Sequence, residues 1–110
     1  MDRRARLWRL AFYVAFLASA LVLLAPGSAV PAPPFPGADK LEHALAFAAL
    51  ALLARPAYPE KPPWGIFLAL AIWGAATELA QRDVPGREAD ALDWAADAVG
   101  ASVVLLLRRR

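Results

Sequence analysis

Asp39 and His43 lie four residues apart. On a helix that spacing makes them neighbours on one face. A carboxylate beside an imidazole fixes its tautomer and raises its basicity. Glu78 and Gln81 follow at a spacing of three, and then come Arg87, Asp90, Asp93 and Asp97. Asp90, Asp93 and Asp97 fall at i, i+3 and i+7, so a helix through them puts three carboxylates on one narrow face. Gly100 continues that face. The chemistry these residue types support is proton transfer, with His43, Glu78 and Asp93 as candidate catalytic groups. Lys40, Gln81, Arg87 and Asp90 are candidates for holding a substrate, the cations being suited to a phosphate or carboxylate. Asp39, Asp97 and Gly100 are read as structural.

Each residue also has a plainer reading. Asp39 and Asp90 each precede a helix and can cap its free N–H groups. Lys40 can be an interface anchor whose stem lies along apolar surface. Glu78 has apolar or small neighbours for many residues before it, so it needs a partner or a proton. Arg82 at i+4 or Arg87 across the turn could supply it and pin the loop. Asp97 lies about one turn deeper than Asp93, roughly 6 Å at ~1.5 Å per residue. It must point inward, toward Arg87, His43, Lys40 or a water. Glu42 falls on the other side of its helix and is expected in solvent, while Phe47 is expected to pack. No metal and no cofactor is expected. The chain has no cysteine and one histidine, so thiolate and multi-histidine metal sites within one chain are excluded. Carboxylates with one histidine could hold Mg²⁺, but nothing in the sequence demands it.

The elements that position these residues are apolar. Hydrophobic residues make up 60% of the 110, and the mean hydropathy is +0.45. An ordinary soluble domain is nearer one half apolar. Four stretches stand out, at about 7–25, 40–54, 64–81 and 91–107. Proline-rich connections separate the first three, around Pro31, Pro33, Pro34 and Pro36 and again from Pro56 to Pro63, where a helix is not expected to continue. Val84-Pro85-Gly86-Arg87 reads as a turn. The expected fold is all-α, a single membrane domain of four transmembrane helices. A basic start, an apolar core and small residues near Ser28-Ala29 also resemble a secretory signal, which would leave three spans. Charge inside a membrane is costly and points to function.

Lysine and arginine set the orientation. Arg3, Arg4, Arg6, Arg9, Arg55, Lys61, Arg108, Arg109 and Arg110 would lie on one side. Only Lys40, Arg82 and Arg87 would lie on the other. The positive-inside rule then puts both termini in the cytoplasm and the polar cluster at the outer face. The arginine clusters flank apolar stretches, so anchoring explains them better than nucleic-acid binding. Trp8, Trp64 and Trp94 fall near the expected interfaces, and Trp73 is expected to pack.

The three polar blocks together resemble a known pattern. Asp39-Lys40-x-x-His43-x-x-x-Phe47, then Glu78-x-x-Gln81, then Pro85-Gly86-Arg87-x-x-Asp90-x-x-Asp93-x-x-x-Asp97-x-x-Gly100 resemble the VanZ-like family of small bacterial membrane proteins. The resemblance covers about residues 38–103. Many members carry asparagine at the position of Asp97; aspartate keeps the acceptor oxygens and adds a charge or a proton. The family's founding member is associated with low-level resistance to the glycopeptide teicoplanin. The resemblance implies a multi-pass protein of the bacterial inner membrane, in contact with lipid, with a role in cell-envelope physiology.

Three functions stay open at this point. In one, the polar residues lock the helices and the protein serves the envelope without catalysis. In the second, the chain is a membrane-embedded enzyme acting on a lipid-linked or phosphorylated extracytoplasmic substrate. His43 would be its acid or base, oriented by Asp39 or Glu78. In the third, the inward acids move protons or ions. The absence of polar residues from the cytoplasmic halves weighs against the third.

Overall fold

The computed structural model describes residues 3–26, 35–84 and 91–107, without the side chains of residues 39 and 107. These residues form four α-helices and no strand: α1 (Arg3–Leu24), α2 (Ala38–Ala57), α3 (Pro63–Gln81) and α4 (Ala91–Leu107). The expected all-α class and the four elements are therefore present. By length and composition, α1 and α3 are long and apolar enough to cross a membrane.

Local sequence explains the ends. α3 starts at Pro63 with Pro62 before it; proline suits a first helical position because its missing N–H would have no partner there. Gly37 holds the N-cap position of α2 at φ 85°, a left-handed conformation that glycine adopts without a Cβ clash. Asp39 therefore sits inside the first turn of α2, not at the cap. α2 also runs through Arg55 and Pro56 to Ala57, three residues beyond the expected end at Ala54. Proline near a helix end costs little when it removes only one bond. The backbone N–H of Tyr58 still reaches the carbonyl of Ala54 at 2.9 Å.

Contacts along the helices give an up-down-up-down arrangement. Arg9 of α1 donates from Nε to the carbonyl of Ala57 at 2.8 Å. Its guanidinium also lies 4.3 Å from the centre of the Tyr58 ring and pairs with Glu60 at 3.2 Å. The start of α1 thus lies beside the end of α2. An ion pair as exposed as Arg9–Glu60 contributes less than about 1 kcal/mol. The carbonyl bond and the aromatic face do more of the anchoring. At the opposite end Gln81 donates from Nε2 to the carbonyl of Leu23 at 2.7 Å, tying the ends of α1 and α3 together.

The closest approach is between α2 and α4, which run parallel. A Cβ on Gly100 would sit 2.0 Å from the Ala44 carbonyl oxygen. The two backbones therefore touch with nothing between them, as small residues allow in tightly packed helices. Below that crossing lies the apolar core, centred on Phe47, Leu50, Ala51 and Ala54 of α2 with Leu70 of α3 and Leu105 of α4. Phe47 packs as expected, at 0% exposure. Trp73 packs too, its ring 4.5 Å from Phe16.

The distribution of polarity is inverted relative to a water-soluble domain. His43, Thr77, Glu78, Gln81, Asp93 and Asp97 are buried. Leucine, isoleucine and valine side chains on all four helices are exposed, among them Leu17, Leu45, Ile72 and Leu106. Scattered exposed apolar residues are ordinary, but contiguous apolar surface marks contact with something other than water.

Candidate functional site

The buried polar residues meet where the first turns of α2 and α4 lie beside the last turns of α3. His43 sits in the second turn of α2, facing α4. Its Nδ1 is 2.7 Å from Asp97 Oδ1. Its Nε2 is 3.7 Å from Asp93 Oδ2. Lys40 Nζ, one turn earlier on α2, is 3.1 Å from Asp93 Oδ1. Glu78 of α3 completes the group: one donor atom each of His43, Glu78 and Asp93 lie within 4.8 Å of one another. All three residues are buried.

Asp97 is the deepest member, at 0% exposure. Taking a carboxylate out of water costs several kcal/mol unless it is paired. The His43 bond offsets that cost at Oδ1. Oδ2 has no hydrogen-bond partner among the described residues. It lies against Gly74 of α3, where an added Cβ would come within 3.0 Å of it. Gly74 is therefore small for a reason: it makes room for the carboxylate. Thr77 satisfies its hydroxyl locally by donating to the Gly74 carbonyl at 2.9 Å. Trp94 reaches over the same place and donates from Nε1 to the carbonyl of Ala71 at 2.9 Å. The indole holds α4 against α3 there, whatever lies outside.

The catalytic candidates thus converge. His43, Glu78 and Asp93 come from three helices and 51 positions of sequence, yet form one cluster. Lys40 joins it through Asp93. Gln81 is buried beside it on the face of α3 that carries Glu78, but its amide N–H₂ is committed to Leu23. What it can offer a ligand is Oε1, which has no hydrogen-bond partner among the described residues. Arg87 and Asp90 lie outside the described residues, as does the side chain of Asp39.

Two expectations change. The imidazole is oriented by Asp97, not by Glu78. Asp97 was the charge with the least obvious purpose in the sequence. Its depth one turn below Asp93 required an inward partner, and His43, 54 residues away, was one of several open to it. Arg82 does not pair with Glu78 in spite of the i,i+4 spacing. The helix ends at Gln81, so Arg82 is the cap residue, and its side chain is exposed. Glu42 is exposed as expected.

Comparison with known proteins adds no relative: no family model matches the chain, and no curated protein or solved structure matches it.

Chemically, the arrangement is an imidazole with one nitrogen held by the buried Asp97 carboxylate and the other turned toward Asp93, with Glu78 close by. Such a group can relay a proton, and it can also take a cation. The flanking ammonium of Lys40, with about a third of its side chain exposed, is the contact of this cluster nearest the surroundings.

Proposed function

We propose that the chain is a VanZ-like integral membrane protein of the bacterial inner membrane that serves cell-envelope physiology. Four helices cross the bilayer, both termini are cytoplasmic, and the polar cluster faces outward. One observation carries this reading. The three separate sequence blocks on which the resemblance rests supply His43, Glu78, and Asp93 with Asp97 to a single buried cluster. Motif residues that were scattered along the chain share one place, as a functional site requires.

Physical arguments support the membrane. The inverted surface suits a solvent of lipid tails, and the inward polar residues avoid it. The long axis of 42 Å is comparable to the ~40–45 Å of a bilayer with its headgroups. α4, at 17 residues, is at the short end of the range for a span. Its two aspartates lower its hydropathy but face the bundle, so they do not meet lipid. α2 carries its charges near its two ends: Asp39, Lys40 and Glu42 with inward-facing His43 in the first two turns, and Arg55 in the last. Arg9 and the 55–61 segment share one end of the bundle, which the positive-inside rule makes cytoplasmic.

The orientation has a direct test. The chain has no cysteine, so an introduced one is unique. Asp83→Cys and Lys61→Cys place thiols at exposed positions at opposite ends. In intact cells with a permeable outer layer, an impermeant thiol reagent should label Asp83→Cys and spare Lys61→Cys. The reverse pattern overturns the topology.

The His43–Asp97 bond specifically favours a second reading, a membrane-embedded enzyme. A carboxylate that fixes Nδ1 leaves Nε2 for proton transfer to a lipid-linked or phosphorylated extracytoplasmic substrate. Lys40 would draw the anionic group toward the cluster. His43→Asn separates this from a purely structural role. Asparagine can still donate to Asp97 in place of Nδ1, but it has no counterpart of Nε2. If the cluster works chemically, cells carrying His43→Asn should contain normal amounts of inserted protein. They should nevertheless show the envelope defect of cells lacking the chain, read as altered glycopeptide sensitivity. Full complementation by His43→Asn would leave only the structural role.

A further inference from the structure

We infer that His43, Glu78 and Asp93 hold one first-row divalent cation of the Zn²⁺ or Mn²⁺ class. The site needs only the geometry of the cluster, so it is independent of the topology and of the envelope role.

Three distances carry the inference. Nitrogen and carboxylate donors sit about 2.0–2.2 Å from such an ion, so two of them sharing it lie roughly 3–4 Å apart. His43 Nε2 and Asp93 Oδ2 are 3.7 Å apart. That is too long for a hydrogen bond and right for two ligands of one ion. A Glu78 carboxylate oxygen lies within 4.8 Å of a ring nitrogen of His43 and of a carboxylate oxygen of Asp93, so a small inward movement of one carboxylate completes the set.

The third distance concerns orientation. Histidines that bind metal usually donate their other N–H to a carboxylate, which fixes the tautomer and aims the lone pair. His43 Nδ1 meets Asp97 Oδ1 at 2.7 Å. With that proton on Nδ1, Nε2 presents a lone pair to a carboxylate oxygen. Its ring is only 9% exposed, and Nε2 makes no hydrogen bond among the described residues. Lone pair against carboxylate is repulsive until a positive charge sits between them. A proton on Nε2 would serve poorly at 3.7 Å; an ion fits.

Lys40 does not compete for the same atom. It pairs with Asp93 Oδ1 and so turns Oδ2 toward His43, making Asp93 a one-oxygen ligand. One nitrogen and two oxygens select a borderline divalent ion over one that prefers thiolates. Three protein ligands also leave a coordination position open, as in catalytic sites and unlike closed structural ones. Water or an anionic oxygen can take it.

The test uses the full-length chain purified in detergent, stripped with EDTA and dialysed against Zn²⁺ or, separately, Mn²⁺. Metal content should reach about one ion per chain. Glu78→Gln and Asp93→Asn should each weaken binding at least tenfold. Asp97→Asn should weaken it about 10- to 100-fold through the imidazole. Glu60→Gln, exposed at the other end, should bind as wild type does. Variants that fail to fold do not remove the test, because the chain has one histidine. In ¹⁵N-labelled wild-type protein, Zn²⁺ should move the ring Nε2 resonance and spare Nδ1. Wild-type protein that returns from dialysis without metal, an unmoved Nε2 resonance, or carboxylate variants that bind as tightly as wild type would each overturn the site.

Discussion

Gly100→Ala should melt well below wild type, although alanine is the better helix former. Intrinsic propensity favours alanine over glycine by about 1 kcal/mol. Packing acts the other way. The new Cβ would stand 2.0 Å from the Ala44 carbonyl oxygen and 2.7 Å from the carbonyl carbon. Ordinary contact begins near ~3.5 Å, so α2 and α4 must part by more than about 1 Å. Overpacking typically costs about 1–3 kcal/mol. Here the obstacle is backbone, which has no rotamer to escape into, so the upper end of that range applies and outweighs the propensity. The separation would also pull His43 from Asp97. Gly65→Ala is the control, because its nearest neighbour, Pro62 Cγ, would be 3.4 Å away. Thermal unfolding in detergent should show a clear loss for Gly100→Ala and none for Gly65→Ala. Equal melting of the two would contradict the close backbone crossing.

The second large effect is expected at Asp97. Leucine has the same branched skeleton of heavy atoms, though bulkier, but accepts nothing, so Asp97→Leu leaves His43 Nδ1 buried without its partner. Breaking a buried pair by removing one member costs about 3–5 kcal/mol. Asp97→Asn keeps an acceptor oxygen at the same place and should cost at most about 1 kcal/mol. The readouts are melting temperature and the Nδ1 proton signal of the single histidine. That signal should persist in Asp97→Asn and vanish in Asp97→Leu. A leucine variant as stable as wild type would mean that the histidine finds another acceptor.

Both effects arise from contacts that sequence could only hint at. The four helices were legible because proline and glycine punctuate long apolar runs, and each run is one helix. Their ends were less so. Pro56 reads as a stop, but at the last turn it removes one hydrogen bond and the helix carries on. The gathering of His43, Glu78 and Asp93 was legible through helical spacing and burial, since charged groups on apolar helices must find each other. Their individual partners were not. Local spacing suggested Glu78 with Arg82, but the Arg82 side chain is exposed while Glu78 is buried in the bundle. The bonds from Asp97 to His43 and from Gln81 to Leu23 join distant turns, and only packing brings them together. Gly100 was visible as a small residue on the right face. That its lack of a side chain admits a carbonyl was not.

The Gly100–Ala44 crossing has a mechanical consequence. Ala44 follows His43 directly, and Gly100 lies three residues beyond Asp97. The point of contact is therefore within a turn of the histidine–carboxylate pair. If α4 rocks against α2, that point is the fulcrum. The far ends of the helices sweep through the largest arcs, while the fulcrum hardly shifts. A force on the ends of the helices can lever them without opening the gap between imidazole and carboxylate. The buried pair sits where the lever arm is shortest.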